Sequence, residues 1–341
     1  MNTFYRNLRW TPIVALLFVS LFVRAQDPVP PKGRIIVAYV TSGSQDMPDM
    51  SLMTHINYAF GHVNRTFNGV RISRPERLRE IAAAKGNVKI CLSVGGWGSG
   101  RFSEMAATDV RRKSFADSCV AVVEEYGLDG IDIDWEYPTS SAAGISSSPE
   151  DTDNFTLLMR DLRAALGPDR LLTLATVCSA RYIDFPAILP YVDFINVMSY
   201  DMGRPPRHNA PLYRSRGITG RFTADEAVKA HLAAGVPADK LVMGMPFYGH
   251  GKEGYNDYVD YKDLMPPLEG HHEVWDDDAR VPYYATEDGR LVLGFDNVRS
   301  IGEKCKYILD NGLLGGMYWE YNCDNADKDL ARTVAEWLIL P

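Results

Sequence analysis

Three acidic residues, Asp132, Asp134 and Glu136, alternate with Ile131, Ile133 and Trp135 in the segment from Leu128 to Pro138. Successive side chains of an extended strand point to opposite faces, so the acids stack on one side at steps of about 7 Å and the apolar residues line the other. Like charges crowded in a low-dielectric interior raise one another's proton affinity, and burial opposes ionisation as well, so part of such a ladder keeps its protons at neutral pH. An acid at the mouth of a site that stays protonated until it meets a leaving group is what glycoside hydrolysis asks of its general acid. Alternation with isoleucine implies one dry face, which argues against a solvated acidic strand. Carboxylate oxygens also suit Ca²⁺ or Mg²⁺, but no EF-hand-like loop surrounds these.

The elements that position the ladder follow from hydrophobic periodicity. Eight short runs rich in β-branched and aromatic residues recur at 35–40, 55–60, 88–96, 130–137, 171–177, 194–201, 241–249 and 315–322. Eight is the number that closes a parallel barrel. Between them, residues 75–85, 109–126, 149–166, 223–234, 297–311 and 326–338 carry apolar positions at i, i+3, i+4 spacing. Gly86, Gly127, Gly167, Gly235 and Gly312 fall just past these helices, where a left-handed residue is wanted, and Thr223 to Glu226 has the pattern of a capping box. The intervals before the second and sixth runs have room for brief helices only. Alternating strands and helices on short connections give a parallel sheet. No phosphate-cradling GxGxxG follows the first run, so the pattern predicts an α/β fold of the (β/α)8 TIM-barrel type, not a doubly wound open sheet. The isoleucines then lie under the helix layer and the acids face the barrel axis, Asp132 deepest and Glu136 at the carboxyl-end rim where barrel enzymes keep their chemistry. One interval, about 250–294, is too long for a βα loop, and VPYYATEDGRLVLGF within it reads as a hairpin around Asp288-Gly289. It predicts a small antiparallel insertion between strand 7 and helix 7 that walls one side of the cleft.

Composition sets the remaining bounds. The 341 residues are 46% hydrophobic and 23% charged, ordinary for a globular chain, which excludes disorder, collagen and coiled coil. A net charge of −8 without any Lys/Arg-rich run is the wrong sign for a nucleic-acid binder. At the front, Arg6 and Arg9 precede an apolar stretch from Ile13 to Val23, and Val23-Arg24-Ala25 offers small residues to a signal peptidase. That stretch is about half the ~20 residues a spanning helix needs, so residues 1–25 read as a secretory signal peptide and no membrane span remains after cleavage. Cleavage removes Arg6, Arg9 and Arg24 and no acid, taking the charge from −8 to −11. Residues 26–33, with Pro28, Pro30 and Pro31, read as an extended tether, and 34–341 as the barrel with its insertion. Cys91 and Cys178 sit in apolar runs as small buried hydrophobes, and the five cysteines show neither a CxxC pair nor metal-ligand spacing, which leaves room for one bridge among the others. His271-His272 and the run Asp276 to Asp278 read as solvated loop residues rather than a metal site.

Several of these segments resemble a known family. Asp129-Gly130-Ile131-Asp132-Ile133-Asp134-Trp135-Glu136-Tyr137-Pro138 is similar to the DGxDxDWEYP signature of family 18 glycoside hydrolases, the chitinases. Ser93-Val94-Gly95-Gly96-Trp97 resembles the family's third-strand SxGG motif, Met198-Ser199-Tyr200-Asp201 its sixth-strand motif, and Gly316-Met317-Tyr318-Trp319-Glu320 its eighth. The resemblance covers essentially the whole chain after the expected signal peptide. It implies retaining, substrate-assisted cleavage of β-1,4 bonds between N-acetylglucosamine units, in which the acetamido carbonyl of the sugar attacks its own anomeric carbon. Carried over, Glu136 is general acid and then base, Asp134 orients the acetamido group, Asp132 shares a proton with Asp134, and Tyr200 donates to the acetamido oxygen. Tyr39, Phe60, Trp97 and Trp319 end strands or begin loops and could line the mouth, where flat sugar faces stack on rings. Gly95 and Gly96 allow close approach of the backbone to a ligand or a neighbouring strand. Tyr137, Met198 and Asp201 complete the expected substrate contacts. The implied partner is chitin or its oligosaccharides, bound by a secreted, extracellular or periplasmic monomer that needs no cofactor and no metal. An endo-β-N-acetylglucosaminidase acting on N-glycans and a non-catalytic chitin-binding lectin share the fold; Trp135 and Tyr137-Pro138 lean toward a chitinase, and intact Glu136, Asp134 and Tyr200 lean away from the lectin.

Overall fold

Eight parallel strands close into a barrel because each turns an apolar face to the helix layer, while buried polar side chains such as Asn57, Ser93, Asp132, Thr173 and Asn196 lie among the strands. The computed structural model describes residues 33–44 and 46–341. The expected signal peptide over 1–25, and all of the expected tether except Gly33, lie outside the described residues. The strands are β1 (Ile35–Thr41), β2 (His55–Val63), β3 (Val70–Ile72), β4 (Lys89–Gly95), β5 (Gly130–Asp134), β6 (Leu171–Val177), β7 (Ile195–Met198), β8 (Leu241–Pro246), β9 (Tyr248–Gly251), β10 (Val259–Asp260), β11 (His271–Asp276), β12 (Val281–Thr286), β13 (Leu291–Gly294) and β14 (Gly315–Trp319). The barrel runs β1-β14-β8-β7-β6-β5-β4-β2 and closes through β1 against β2, every pairing parallel, while β3 folds back antiparallel on β2. All eight expected runs supply a barrel strand.

The helices are α1 (Pro75–Ala83), α2 (Phe102–Ala106), α3 (Asp109–Tyr126), α4 (Asp151–Leu166), α5 (Phe185–Ile188), α6 (Ala224–Ala233), α7 (Val298–Asp310) and α8 (Asp329–Leu338). Periodicity locates six of them; α5 is the brief helix expected before the sixth run, and α2, five residues long, is too short to show a period. Gly86, Gly127, Gly167, Gly235 and Gly312 all have positive φ, as their places past helix ends require. The expected capping box at α6 is half made: Thr223 accepts from the amide of Glu226 without a reciprocal bond. The reciprocal pair sits at α7, where Asn297 Oδ1 accepts from the Ser300 amide at 3.1 Å and the Asn297 amide donates to Ser300 Oγ at 2.9 Å.

Four expected strands end early. The runs at 130–137, 194–201 and 315–322 stop pairing at Asp134, Met198 and Trp319, and the run at 241–249 breaks at Phe247, whose amide turns to donate to the Trp319 carbonyl at 2.7 Å. Glu136, Tyr200 and Asp201 therefore sit on the loops that crown the barrel. The insertion begins at Tyr248 and forms a five-stranded antiparallel sheet, ordered β10-β9-β13-β12-β11, around a small cluster of Tyr284, Val292, Leu293 and Phe295. Its hairpin turns at Gly289, φ +82°, as the sequence pattern predicts. None of the five cysteines is bridged, and Cys178 lies half-buried just past β6. Among the described residues no helix is long and apolar enough to cross a membrane.

Candidate active site

The ladder is built around Asp132, which is fully buried on the barrel axis. Tyr39 of β1 and Ser93 of β4 each donate to its Oδ2 at 2.8 Å, Thr173 of β6 donates to Oδ1 at 2.6 Å, and the Asn196 amide of β7 reaches Oδ1 at 3.3 Å. Donors from four strands converging on one carboxylate fix its position at the centre of the sheet and confirm that the acid face points inward. They also occupy both oxygens, which leaves little of Asp132 for a cation. Burial still outweighs these four bonds and raises its proton affinity. On the other face of the strand, Trp135 packs outward, stacked on Phe102 at 5.3 Å and edge-on to Phe155 at 5.9 Å, as the alternation predicts.

Above Asp132, Asp134 is buried with no hydrogen-bond partner on Oδ1. Burial pushes its carboxyl well above the usual carboxylate range, and the charges of Glu136 and Asp132 push it further. An unpartnered acid oxygen in the interior is costly, so one left without a donor beside Glu136 marks a place where a ligand completes the bonding. Glu136 follows two residues later, partly buried beyond the strand end. Burial pushes its carboxyl up to about 7; the Tyr137 hydroxyl, donating to Oε2 at 2.9 Å, holds it down, and the charge of Asp201 pushes it up again. Burial thus leaves this rim carboxyl still partly protonated at neutral pH, with a proton to give.

Two glycines let this strand sit where it does. A Cβ at Gly95, φ +136°, would fall 1.9 Å from the Asp134 carbonyl oxygen, and one at Gly96, φ +93°, 2.7 Å from Cε2 of Phe60. The Gly96 amide instead donates to the Asp134 carbonyl at 2.9 Å. Of the two close approaches open to them in the sequence, the one in place is to protein. Phe60 stacks on Trp319 at 5.6 Å with 20° between the rings, and Trp319 tilts at 52° against Tyr39.

The expected mouth residues separate on inspection. Trp319 and Phe60 are partly open, whereas Tyr39 is only 1% exposed and its hydroxyl is committed to Asp132. This corrects the expectation that Tyr39 offers a stacking face: its inward register places it beneath the mouth, supporting Asp132. Trp97 is 66% exposed on the loop after β4 and borders a groove of about 450 Å³ with His62, Arg101, Glu104 and Ile145, apart from the ladder carboxylates. Tyr137 stacks on Tyr182 at 5.5 Å, and Met198 is half-buried at the end of β7.

Tyr200 is nearly buried, and the one hydrogen bond of its hydroxyl among the described residues is a long contact of 3.8 Å to Met317 Sδ. Burial first, then the charges of Asp134, Asp201 and Glu136, keeps that hydroxyl protonated and so a donor. Gly244 makes room for its ring, since a Cβ there would lie 2.9 Å from Cε1. A hydrogen bond to a charged group contributes about 1.5–3 kcal/mol, so Tyr200→Phe is expected to lower kcat roughly 10–100-fold, with the melting temperature unchanged because the ring stays packed. Steady-state kinetics beside a thermal melt read both, and undiminished turnover would remove the hydroxyl from the site.

Sequence reasoning missed the partners that hold these groups. Thr173 for Asp132, Tyr182 for Tyr137, and Tyr248 and His250 for Asp201 all come from other strands or loops. Register between parallel strands carries no local signal, which is why alternation alone did not reveal them.

Comparison with known proteins agrees with this geometry. The sequence profile of glycosyl hydrolases family 18 matches residues 35–324. Chitinase A1 of Niallia circulans is 35% identical over 312 residues, 76% of this chain and 45% of that protein, so the chain spans under half of that relative's length. Chitotriosidase-1 of Mus musculus is 30% identical over 401 aligned positions, covering 98% of this chain and 83% of that one. Among solved structures, a family 18 N-acetylglucosaminidase from Paenibacillus barengoltzii superposes with a TM-score of 0.81 at 33% identity, covering 89% of this chain and all (100%) of the other.

Proposed function

Because the chain belongs to the glycosyl hydrolases of family 18, we propose that it hydrolyses β-1,4 bonds between N-acetylglucosamine units, with retention of configuration and with the substrate supplying the nucleophile. The observation that carries this reading is the ladder itself: a saturated Asp132, an Asp134 open on Oδ1, and above them an acid held at about 7. A carboxyl kept protonated by burial is a poor nucleophile, so Asp134 is ill suited to the covalent role of an ordinary retaining glycosidase. It is suited to holding the acetamido N–H while the acetamido carbonyl attacks the anomeric carbon, and to taking up negative charge as positive charge develops on that group.

In the proposed sequence Glu136 gives its proton to the departing glycosidic oxygen as the anomeric carbon binds the acetamido oxygen. Tyr200 donates to that same oxygen and aligns it. Asp132, beneath, takes a share of the proton that Asp134 gives up, one of its four donors giving way to make room for it. Glu136, now a carboxylate, then takes a proton from a water that attacks the anomeric carbon, opens the cyclic intermediate and restores the acetamido group. Trp319, backed by Phe60, offers the ring on which the sugar at the cleavage point stacks. Tyr137, Met198, Asp201, Trp97 and the turn at Gly95 and Gly96 complete the proposed substrate contacts. Export through residues 1–25, read from Arg6 and Arg9 ahead of the apolar stretch Ile13 to Val23, and action as a secreted monomer belong to the same proposal.

The relatives named above are called a chitinase, a chitotriosidase and an N-acetylglucosaminidase, which agree on the sugar and differ on the product. The compact insertion, 248–294, favours soluble oligosaccharides over crystalline chitin. Incubating the full chain with chitotetraose and following the newly formed ends by NMR tests the reading. The β-anomer is expected first; initial appearance of the α-anomer, or no product at all, overturns it. Release from a high-mannose glycoprotein but not from chitotetraose would select the endo-β-N-acetylglucosaminidase instead, and binding without turnover the lectin.

A further inference from the structure

The groove beside Trp97 carries cations that no acid neutralises. It measures about 450 Å³, room for a sugar unit, and opens between the β2–β3 hairpin, the loop after β4 and residues 144–146 beyond β5. Arg71 lies directly opposite His62 in the antiparallel register of that hairpin, and Arg101 closes the loop after β4; all three line the groove. Among the described residues neither arginine has a carboxylate at ion-pair distance: Arg101 Nη1 reaches only the Val63 carbonyl, at 3.4 Å. Glu104, the groove's acid, instead accepts from Ser146 Oγ at 2.8 Å. Ser99 Oγ, 2.9 Å from His62 Nδ1, holds that ring in place, and burial, then the charges of Arg71 and Arg101, keeps it from taking up a proton. In a chain with 44 acidic residues to 36 basic ones, two guanidiniums left facing one cleft focus a positive field there.

The groove also joins the mouth of the barrel. Trp97 follows Gly96, whose amide donates to the Asp134 carbonyl at 2.9 Å. The His62 ring lies 6.4 Å from that of Phe60, which stacks on Trp319 at 5.6 Å. Two ring-to-ring steps thus lead from the Trp319 face to the arginines, a distance that a short oligosaccharide covers. Trp97, 66% exposed, borders the groove with an uncovered ring of the kind on which a sugar stacks.

We propose that this groove is a subsite for a sugar unit bearing a carboxylate, its ring against Trp97 and its anion between Arg71 and Arg101. The inference rests on the cleavage proposed above and narrows it to N-acetylglucosamine oligosaccharides with an acidic unit near the point of cleavage. A guanidinium presents a planar fork of donors that matches a carboxylate, and two forks on one groove fix both the place and the charge of the group they take. A neutral unit would use Trp97 and leave both forks idle, and a deacetylated unit would bring an ammonium against them.

The test is competition between chitotetraose and chitotetraose carrying one 6-O-carboxymethyl group, the ratio of their kcat/KM values being read by mass spectrometry of the products at pH 7. The wild-type chain is expected to favour the acidic tetramer about three- to tenfold at low salt, the scale of one or two exposed ion pairs, and to lose most of that preference in 1 M sodium chloride. Arg71→Gln and Arg101→Gln are each expected to reduce the ratio about two- to threefold, and the double variant to bring it near one. Equal rates on both tetramers in the wild type, a preference that salt leaves untouched, or one that survives the double substitution overturns the proposal. The wild-type ratio and its salt dependence need no variant, so they decide it even where a variant fails to fold. If neither tetramer is cleaved, the functional reading fails on its own; calorimetric titration of the same two tetramers then decides the groove, tighter binding of the acidic one supporting it and equal binding overturning it.

Discussion

Glu136→Gln is expected to lower kcat on chitooligosaccharides about 10²–10⁴-fold while oligosaccharide affinity and thermal stability stay close to wild type. The glutamine fits the same space and its oxygen can still accept from the Tyr137 hydroxyl, so neither the strand end nor the stacked Tyr137–Tyr182 pair is disturbed. What is lost is the proton. The leaving sugar departs as an alkoxide without it, and the water of the second step meets no base. Loss of one acid–base group of this kind typically costs about 3–5 kcal/mol of transition-state stabilisation. Calorimetry with chitotetraose on the variant would show binding retained; turnover within tenfold of wild type would take Glu136 out of the chemistry.

Asp134→Asn is expected to cost about 10²–10³ in kcat, the scale found when one preorganised group facing developing charge is removed. The amide can occupy the same buried position between the glycine turn and Tyr200, but it can neither accept the positive charge of the cyclised acetamido group nor pass a proton to Asp132. KM should change much less than kcat, because the loss is confined to the transition state. A rise in KM with kcat unchanged would mean that Asp134 only binds the substrate.

Much of this arrangement is legible in the chain before any coordinates. The barrel follows from eight runs with helices between them, because a strand under a helix layer shows an apolar residue at least at every second position and a helix repeats every third or fourth residue. The inward face of Asp132 and Asp134 follows from alternation with Ile131 and Ile133. Strand ends are another matter: aromatic residues continue past the last paired position, Trp135 and Tyr137 after Asp134, Tyr200 after Met198 and Tyr321 after Trp319, so residue type overestimates pairing where the chain turns out to form the crown. Tyr39 shows the same limit from inside, since an aromatic near a strand end reads as a mouth residue until its hydroxyl is found on Asp132. The His250–Asp201 pair depends on contact between the β7 loop and the insertion, 49 residues apart, which no local pattern encodes. The positions that hold a site together are set by packing between distant segments, whereas the residues that carry its chemistry announce themselves by type and spacing.

The central claim is that burial keeps Glu136 protonated until it meets the leaving group, and the pH dependence of kcat/KM tests it most directly. The acid form is the active one, so activity is full below the Glu136 value and falls as pH rises through it. With chitotetraose and the wild-type chain, a plateau on the acid side and a tenfold fall per pH unit beyond about 7 is the predicted profile. A limb near 4.5, where an unperturbed glutamic acid titrates, or a profile flat from pH 5 to 9, would contradict it.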